Sequence, residues 1–118
     1  IARFRKYNVK DANILLISYG SAARSALHLV ENRRRRGEKL GLLELQTLWP
    51  FPKEIVNEAC KHVKFSIVVE MNMGQMLQQV RLSVDNPEKI FLANRIDGEL
   101  ITPTDIRNIM RVIDGKGV

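Results

Sequence analysis

Val69-Glu70-Met71-Asn72-Met73-Gly74-Gln75-Met76 is the stretch whose reading decides the fold. It follows Phe65-Ser66-Ile67-Val68-Val69, a short apolar run rich in β-branched residues and bounded by polar sequence, which reads as a buried strand. After it, apolar residues recur at Met73, Met76, Leu77, Val80 and Val84, the one-face spacing of an amphipathic helix. Residues 70–76 are therefore a strand-to-helix corner. Asn72 is the expected N-cap, with Gln75 as its reciprocal partner three residues on, and Gly74 would let another backbone approach the first helical turn. In an open α/β sheet, corners at the carboxyl ends of strands are where ligands or partner domains sit.

The same alternation repeats on either side of this corner. Asn13 to Tyr19 is nearly continuous in apolar residues, as expected of a strand buried on both faces. Gly20-Ser21 turns it into a helix capped by Ser21, with Ala23, Ala26, Leu27 and Val30 as the buried stripe. That helix ends on Arg33-Arg34-Arg35-Arg36-Gly37: cations at the negative end of the macrodipole, then a residue that tolerates the left-handed conformation. The arginines read as a solvated last turn. Leu40 to Leu45 is the next strand, and Thr47-Leu48-Trp49-Pro50-Phe51-Pro52 a loop stiffened by two prolines. Pro52 is the expected first residue of a helix running to about Val63, with Val56, Ala59, Cys60 and Val63 inward. Residues 2–9 alternate enough for a half-exposed edge strand. Beyond the central corner, Asp85-Asn86-Pro87 breaks the helix, Ile90 to Ala93 forms a last strand and Asp97-Gly98 marks a turn. Thr102-Pro103-Thr104-Asp105 then opens a helix with Ile106, Ile109, Met110 and Ile113 inward and a frayed tail after Asp114. Strands alternating with helices over short connections imply a mostly parallel sheet covered by helices on both sides.

A chain of 118 residues is one domain, and such a domain buries roughly two thirds of the surface its unfolded chain would expose. Its 45% apolar and 27% charged residues are those of an ordinary globular protein. The apolar run Ile14-Leu15-Leu16-Ile17 is too short for a signal segment or a membrane span, so a cytoplasmic location without a membrane partner is expected. Opening at Ile1 rather than methionine suggests a piece of a longer polypeptide. The single cysteine, Cys60, allows no internal disulfide and cannot by itself hold an iron–sulfur cluster. It shares an apolar face with Val56, Ala59 and Val63 and reads as a buried thiol. The net charge of +6 invites a nucleic-acid reading, which needs a wide basic face and aromatics for stacking.

His28 and His62 lie on helices without a Cys, His or carboxylate set at ligand spacing, so no metal is assigned. The sequence has no Gly-x-Ser-x-Gly elbow, Walker loop or Gly-x-Gly-x-x-Gly. Tyr19-Gly20-Ser21 and Asn72-Met73-Gly74 both aim helix N-terminal amides out of the sheet edge, where a phosphate or carboxylate could dock. Glu70 could act as an acid or base if buried, but no second catalytic group accompanies it. The favoured reading is that it binds neighbouring backbone amides. Trp49, on a loop at a strand's carboxyl end, is either a contact anchor or a lid over the core.

Four segments, taken together and in order, carry a resemblance. They are Tyr19-Gly20-Ser21-Ala22-Ala23-Arg24-Ser25-Ala26, Thr47 to Pro52, Glu70 to Met76, and Arg95-Ile96-Asp97-Gly98-Glu99-Leu100-Ile101-Thr102-Pro103. Over nearly its whole length the chain resembles the C-terminal domain of the α subunit of 2-oxoacid:ferredoxin oxidoreductases, especially the branch acting on 2-oxoglutarate. The resemblance implies the fold of the transketolase C-terminal domain: three layers, α/β/α, around a mostly parallel five-stranded sheet whose first strand is antiparallel. The strand at 13–19 would neighbour that at 65–70, so the corners at 19–21 and 70–76 would share the switch-point crevice.

The parent enzymes implied by the resemblance use thiamine diphosphate, Mg, iron–sulfur clusters, coenzyme A and ferredoxin to decarboxylate a 2-oxoacid oxidatively to an acyl-CoA. The family's thiamine- and cluster-binding motifs are absent from these 118 residues. Residues 1–118 are thus expected to be one domain of a longer α subunit, without catalytic, cofactor or metal residues of its own. It would dock against other domains and the β subunit through Tyr19, Gly20, Ser21, Trp49, Glu70, Asn72, Gly74, Gln75 and Met76. The alternative is a free-standing small-molecule or phosphate-binding domain using the 19–21 and 70–76 crevice. A nucleic-acid partner is not expected. The identity of the 2-oxoacid is not written in these residues.

Overall fold

A computed structural model describes residues 2–71, 74–94 and 103–115. The apolar runs form β1 (Phe4–Tyr7), β2 (Ile14–Tyr19), β3 (Leu40–Leu45), β4 (Phe65–Glu70) and β5 (Ile90–Asn94). Between and after them lie α1 (Ser21–Arg35), α2 (Lys53–Cys60), α3 (Gln75–Ser83) and α4 (Pro103–Gly115), with a 3-10 turn at Pro87–Lys89. The strand order is β1-β3-β2-β4-β5. β2 pairs in parallel with β3 and β4, β4 pairs in parallel with β5, and β1 runs antiparallel along β3 with Phe4 opposite Leu45. This is the five-stranded sheet with an antiparallel first strand that the resemblance implies.

Because successive side chains on a strand point to opposite faces, the central strands feed two cores. Leu16, Leu42, Phe65, Ile67 and Val69 pack with Ala26, Leu29 and Val30 of α1 and Ile106, Met110 and Ile113 of α4. Leu15, Ile17, Leu43 and Val68 pack on the other face with Val56 of α2 and Met76 and Val80 of α3. Ser18, fully buried between β3 and β4, is satisfied because its hydroxyl donates to the Val69 carbonyl at 2.8 Å.

Element ends differ from the sequence expectations for local reasons. The N-cap of α1 is Gly20, at φ +67°, and no side chain caps the helix. The chain leaves β2 through a conformation that glycine adopts freely, so Ser21 becomes the first helical residue rather than the cap. Leu29 takes the inward position expected of Leu27, which lies half-buried at the flank. Pro52 is the N-cap of α2 rather than its first residue, and α2 stops at Cys60 instead of Val63. It stops because the Lys64 amide must reach the Asn13 carbonyl, at 2.7 Å, to start β4 beside β2. The expected Asn72 cap lies outside the described residues; the N-cap position of α3 falls on Gly74. Thr102, the turn at Asp97-Gly98 and residues 116–118 of the expected frayed tail also lie outside them, while Gly115 still belongs to α4.

The end of α1 follows its sequence closely. The Gly37 amide donates to the Arg34 carbonyl and the Glu38 amide to the Arg33 carbonyl, each at 3.0 Å, with Gly37 at φ +84°. These are the two bonds of a Schellman close. Arg35 and Arg36 are exposed, as a solvated last turn requires, but Arg34 is not. Its guanidinium donates to the carbonyls of Leu40 and Asn8, each at 2.8 Å, and to both carboxylate oxygens of Asp11 at 2.7 and 3.0 Å. One side chain thus ties the end of α1 to the start of β3 and to the β1–β2 loop.

Candidate functional site

The order of strands reverses at β2: the chain leaves β2 for β3 on one side and leaves β3 for β4 on the other. A crevice opens beyond the carboxyl ends of β2 and β4 at such a reversal. Tyr19, Gly20, Ser21, Leu48, Glu70, Met71, Gln75 and Met76 line a cleft of about 210 Å³ there. A second groove, of about 350 Å³, runs beside it between the β3–α2 loop and α3 and shares Leu48, Gln75 and Met76. Trp49, Phe51, Gln78 and Gln79 complete this groove, with Trp49 77% exposed and Tyr19 44% exposed. Trp49 is therefore no lid over the core.

Among the described residues, Glu70 is the one charged group lining either opening, and it is turned inward. At 4% exposure, its Oε1 accepts from the Met76 amide at 3.2 Å and its Oε2 from the Leu77 amide at 3.0 Å. A carboxylate at a helix N-terminus meets both the unpaired amides and the positive end of the macrodipole. Glu70 thus caps α3 from the end of β4, in the amide-binding role favoured from sequence. The same contact fills the place where an external phosphate would use the amides of α3.

Gly74 behaves differently from its sequence reading. It is buried at φ +94°, and a Cβ built there would meet nothing nearer than Leu92 Cδ2 at 3.9 Å. The glycine is required by the backbone conformation, not by a close approach. The structure therefore brings Tyr19, Gly20, Ser21, Glu70, Gln75 and Met76 to one cleft and Trp49 to the adjoining groove; Asn72 lies outside the described residues. Leu48 and Met71 are further lining residues. Leu48 could have been inferred from its place between a strand end and two prolines.

Among the described residues, no group of three or more His, Cys, Asp or Glu is placed to hold a metal, and no helix is long and apolar enough to cross a membrane. At the opposite edge, Cys60 borders a small cavity of about 80 Å³. Burial pushes its thiol pKa up, although the Ser66 hydroxyl at 3.5 Å partly opposes this, so Cys60 is a poor nucleophile.

Three layers with this strand order and a cleft at the reversal define a transketolase C-terminal-like α/β domain. The solved structure of a split-gene transketolase, an inactive β4 tetramer, superposes over 91% of this chain and 40% of its own, with a TM-score of 0.71 at 15% identity. The chain belongs to a particular family of such domains: residues 12–106 match pyruvate:ferredoxin oxidoreductase core domain II. It is 38% identical over 114 residues to the ketoisovalerate oxidoreductase subunit VorB of Methanothermobacter marburgensis, covering 97% of this chain and 32% of that protein. It is 37% identical over 98 residues to the 2-oxoglutarate synthase subunit KorA of the same organism, covering 83% of this chain and 26% of that protein. The chain thus spans a third or less of the length of these relatives. The structure of the Magnetococcus marinus 2-oxoglutarate:ferredoxin oxidoreductase, with 2-oxoglutarate, coenzyme A and succinyl-CoA bound, shares the fold. Its TM-score is 0.82 at 22% identity, over 92% of this chain and 19% of that one.

Proposed function

We propose that residues 1–118 are the non-catalytic structural and docking domain of the α subunit of a cytoplasmic, thiamine diphosphate-dependent 2-oxoacid:ferredoxin oxidoreductase. The observation that carries this reading is the chemistry of the carboxyl edge of the sheet. The cleft and the groove beside Trp49 are lined by aromatic, aliphatic, thioether and amide side chains, in a chain of which 27% is charged, whereas the opening on the other side of Gly20 and Ser21 includes Arg24, His28 and Glu44. The one carboxylate of the cleft and groove is turned inward onto α3. The buried centres of protein interfaces are depleted of charge and built around aromatic and methionine anchors. A face left to water would carry more charge. The other domains of the α subunit, and the β subunit, are the partners we assign to it.

The parent enzyme would convert a 2-oxoacid to an acyl-CoA while reducing ferredoxin, with thiamine diphosphate, Mg and iron–sulfur clusters as its cofactors. The single cysteine of this chain does not fit a cluster, which needs several thiolates. Of the two helix N-termini at the cleft, that of α3 is taken by Glu70, while that of α1 carries no side-chain cap. We place the parent in the 2-oxoglutarate-type branch; the near-equal identity to a 2-oxoglutarate and a ketoisovalerate subunit fits substrate-selecting residues that lie outside this chain. The test is turnover by the purified chain, given 2-oxoglutarate or pyruvate with thiamine diphosphate, Mg, coenzyme A and a one-electron acceptor. No acyl-CoA should form; sustained formation proportional to the amount of chain would overturn the non-catalytic assignment.

A further inference from the structure

The opposite edge of the sheet has the reverse chemistry. Lys39, Lys64 and Lys89 each stand immediately before the first residue of a parallel strand, β3, β4 and β5, and all three are exposed. The Asn13 amide donates to the Lys39 carbonyl and the Lys64 amide to the Asn13 carbonyl, both at 2.7 Å, which holds Lys39 and Lys64 level, while Lys89 stands level with Phe65. With strands about 4.8 Å apart and β2 lying between β3 and β4, Lys39 and Lys64 are roughly 10 Å apart along the edge, and Lys64 and Lys89 roughly 5 Å. Lys10, from the β1–β2 loop, and Arg35 and Arg36, at the end of α1, are exposed on the same edge. Other cations there are already paired: Arg34 with Asp11, Arg33 with Glu38 and Lys61 with Glu58. Among the described residues, none of the six exposed cations forms an ion pair.

Arg35 and Arg36 complement the dipole of α1. That account does not extend to Lys39 and Lys64, which end no helix and precede strands that carry little net dipole; Lys89 closes the 3-10 turn Pro87–Lys89. We propose that this edge is a docking face for a carboxylate-rich protein surface. Lys39 and Lys64 stand level at about two turns of an α-helix, about 5.4 Å each, so acidic side chains on one face of a partner helix could meet both, with Lys89 one residue further along the neighbouring strand. A nucleic acid fits less well. Among the described residues, the exposed aromatics Tyr19 and Trp49 lie at the other end of the sheet, away from any track along this edge. This face is separate from the cleft at the carboxyl edge, and the two assignments stand or fall independently.

The test titrates the purified chain with labelled poly-L-glutamate of about 20 residues and, separately, with a single-stranded oligonucleotide of similar length, at about 0.1 M salt where screening beyond about 10 Å is strong. Poly-L-glutamate should bind and weaken as salt rises. The triple variant K39E/K64E/K89E should lose at least about tenfold in affinity. R24E/K53E/R111E, which changes net charge equally at exposed positions elsewhere, should stay within about threefold of the parent chain. Should the triple glutamate variant fail to fold by circular dichroism, K39Q/K64Q/K89Q replaces it, with the same direction of change expected. Equal losses in both variant sets would mean attraction to net charge alone and overturn the proposal. Tighter binding of the oligonucleotide, or no binding of poly-L-glutamate, would overturn it as well.

Discussion

Glu70 shows how one side chain can decide whether a corner is a binding site or a structural joint. A buried carboxylate is costly unless it is fully hydrogen-bonded, and Glu70 is held by two backbone amides at a helix N-terminus. Glu70→Ala leaves the buried Met76 amide and the half-buried Leu77 amide without their acceptor and should lower the unfolding free energy by about 1 to 3 kcal/mol in urea titration. Glu70→Gln, which keeps one acceptor oxygen, should cost about half as much. A loss under about 0.5 kcal/mol for the alanine variant would show that water replaces the carboxylate and that α3 does not depend on it. This contact was legible in the sequence, since an acidic residue ending an apolar strand just before a helical stripe has few other partners. The cap positions were not legible. Ser21 and Asn72 have good capping chemistry, but Gly20 and Gly74 occupy the N-cap positions at positive φ, and where a chain must turn that sharply is set by the sheet it leaves.

At the scale of elements, two glycines separate conformation from space. Gly37 closes α1 at φ +84°, and a Cβ there would have nothing within 4 Å, so Gly37→Ala should cost only the left-handed penalty, about 1 to 2 kcal/mol. Gly41 has an ordinary φ, but a Cβ there would lie 2.7 Å from the Asn8 carbonyl oxygen and 2.9 Å from Ala12 Cβ. Gly41→Ala must push the β1–β2 loop off β3 and should cost more, about 2 to 3 kcal/mol; thermal or urea unfolding of the two variants checks the order. The sequence announced Gly37 through the arginines before it. Gly41 read only as part of an apolar strand, because its crowding comes from a loop some thirty residues earlier in the chain.

The same loop is held by the Arg34–Asp11 clasp, which has a pH signature. The hydrogen bonds from Arg34 hold the Asp11 carboxyl below the usual carboxylate range. An acid whose pKa is lower folded than unfolded adds stability above its unfolded pKa and loses it as pH falls through the folded value. The stability difference between the parent chain and Asp11→Asn should therefore be constant around neutrality and shrink toward zero as the solution is acidified below the carboxylate range. Urea midpoints across acid pH measure it, and a difference that persists unchanged in strong acid would show that the clasp acts through shape rather than charge.

For the whole molecule, strand order, layers and the reversal between β2 and β4 were all accessible from alternating patterns and the four resembling segments. The side-by-side placement of the 19–21 and 70–76 corners followed from that topology. The clasping role of Arg34 did not, because four consecutive arginines look alike in sequence and only the packed loop selects one of them. The result is a domain with two unlike ends, one carrying an apolar and amide-lined cleft and groove and the other a set of exposed cations, and the exposed tryptophan marks the first. Trp49 is 77% exposed, so Trp49→Ala should change the unfolding free energy of this chain by no more than about 0.5 kcal/mol. Introduced into the longer α subunit we assign to it, the same substitution should weaken assembly by about tenfold or more, as removal of an aromatic anchor does at an interface centre, readable by sedimentation of the mixed subunits. If it instead destabilises this chain by several kcal/mol and leaves assembly intact, Trp49 belongs to the core and the carboxyl edge is not the docking face.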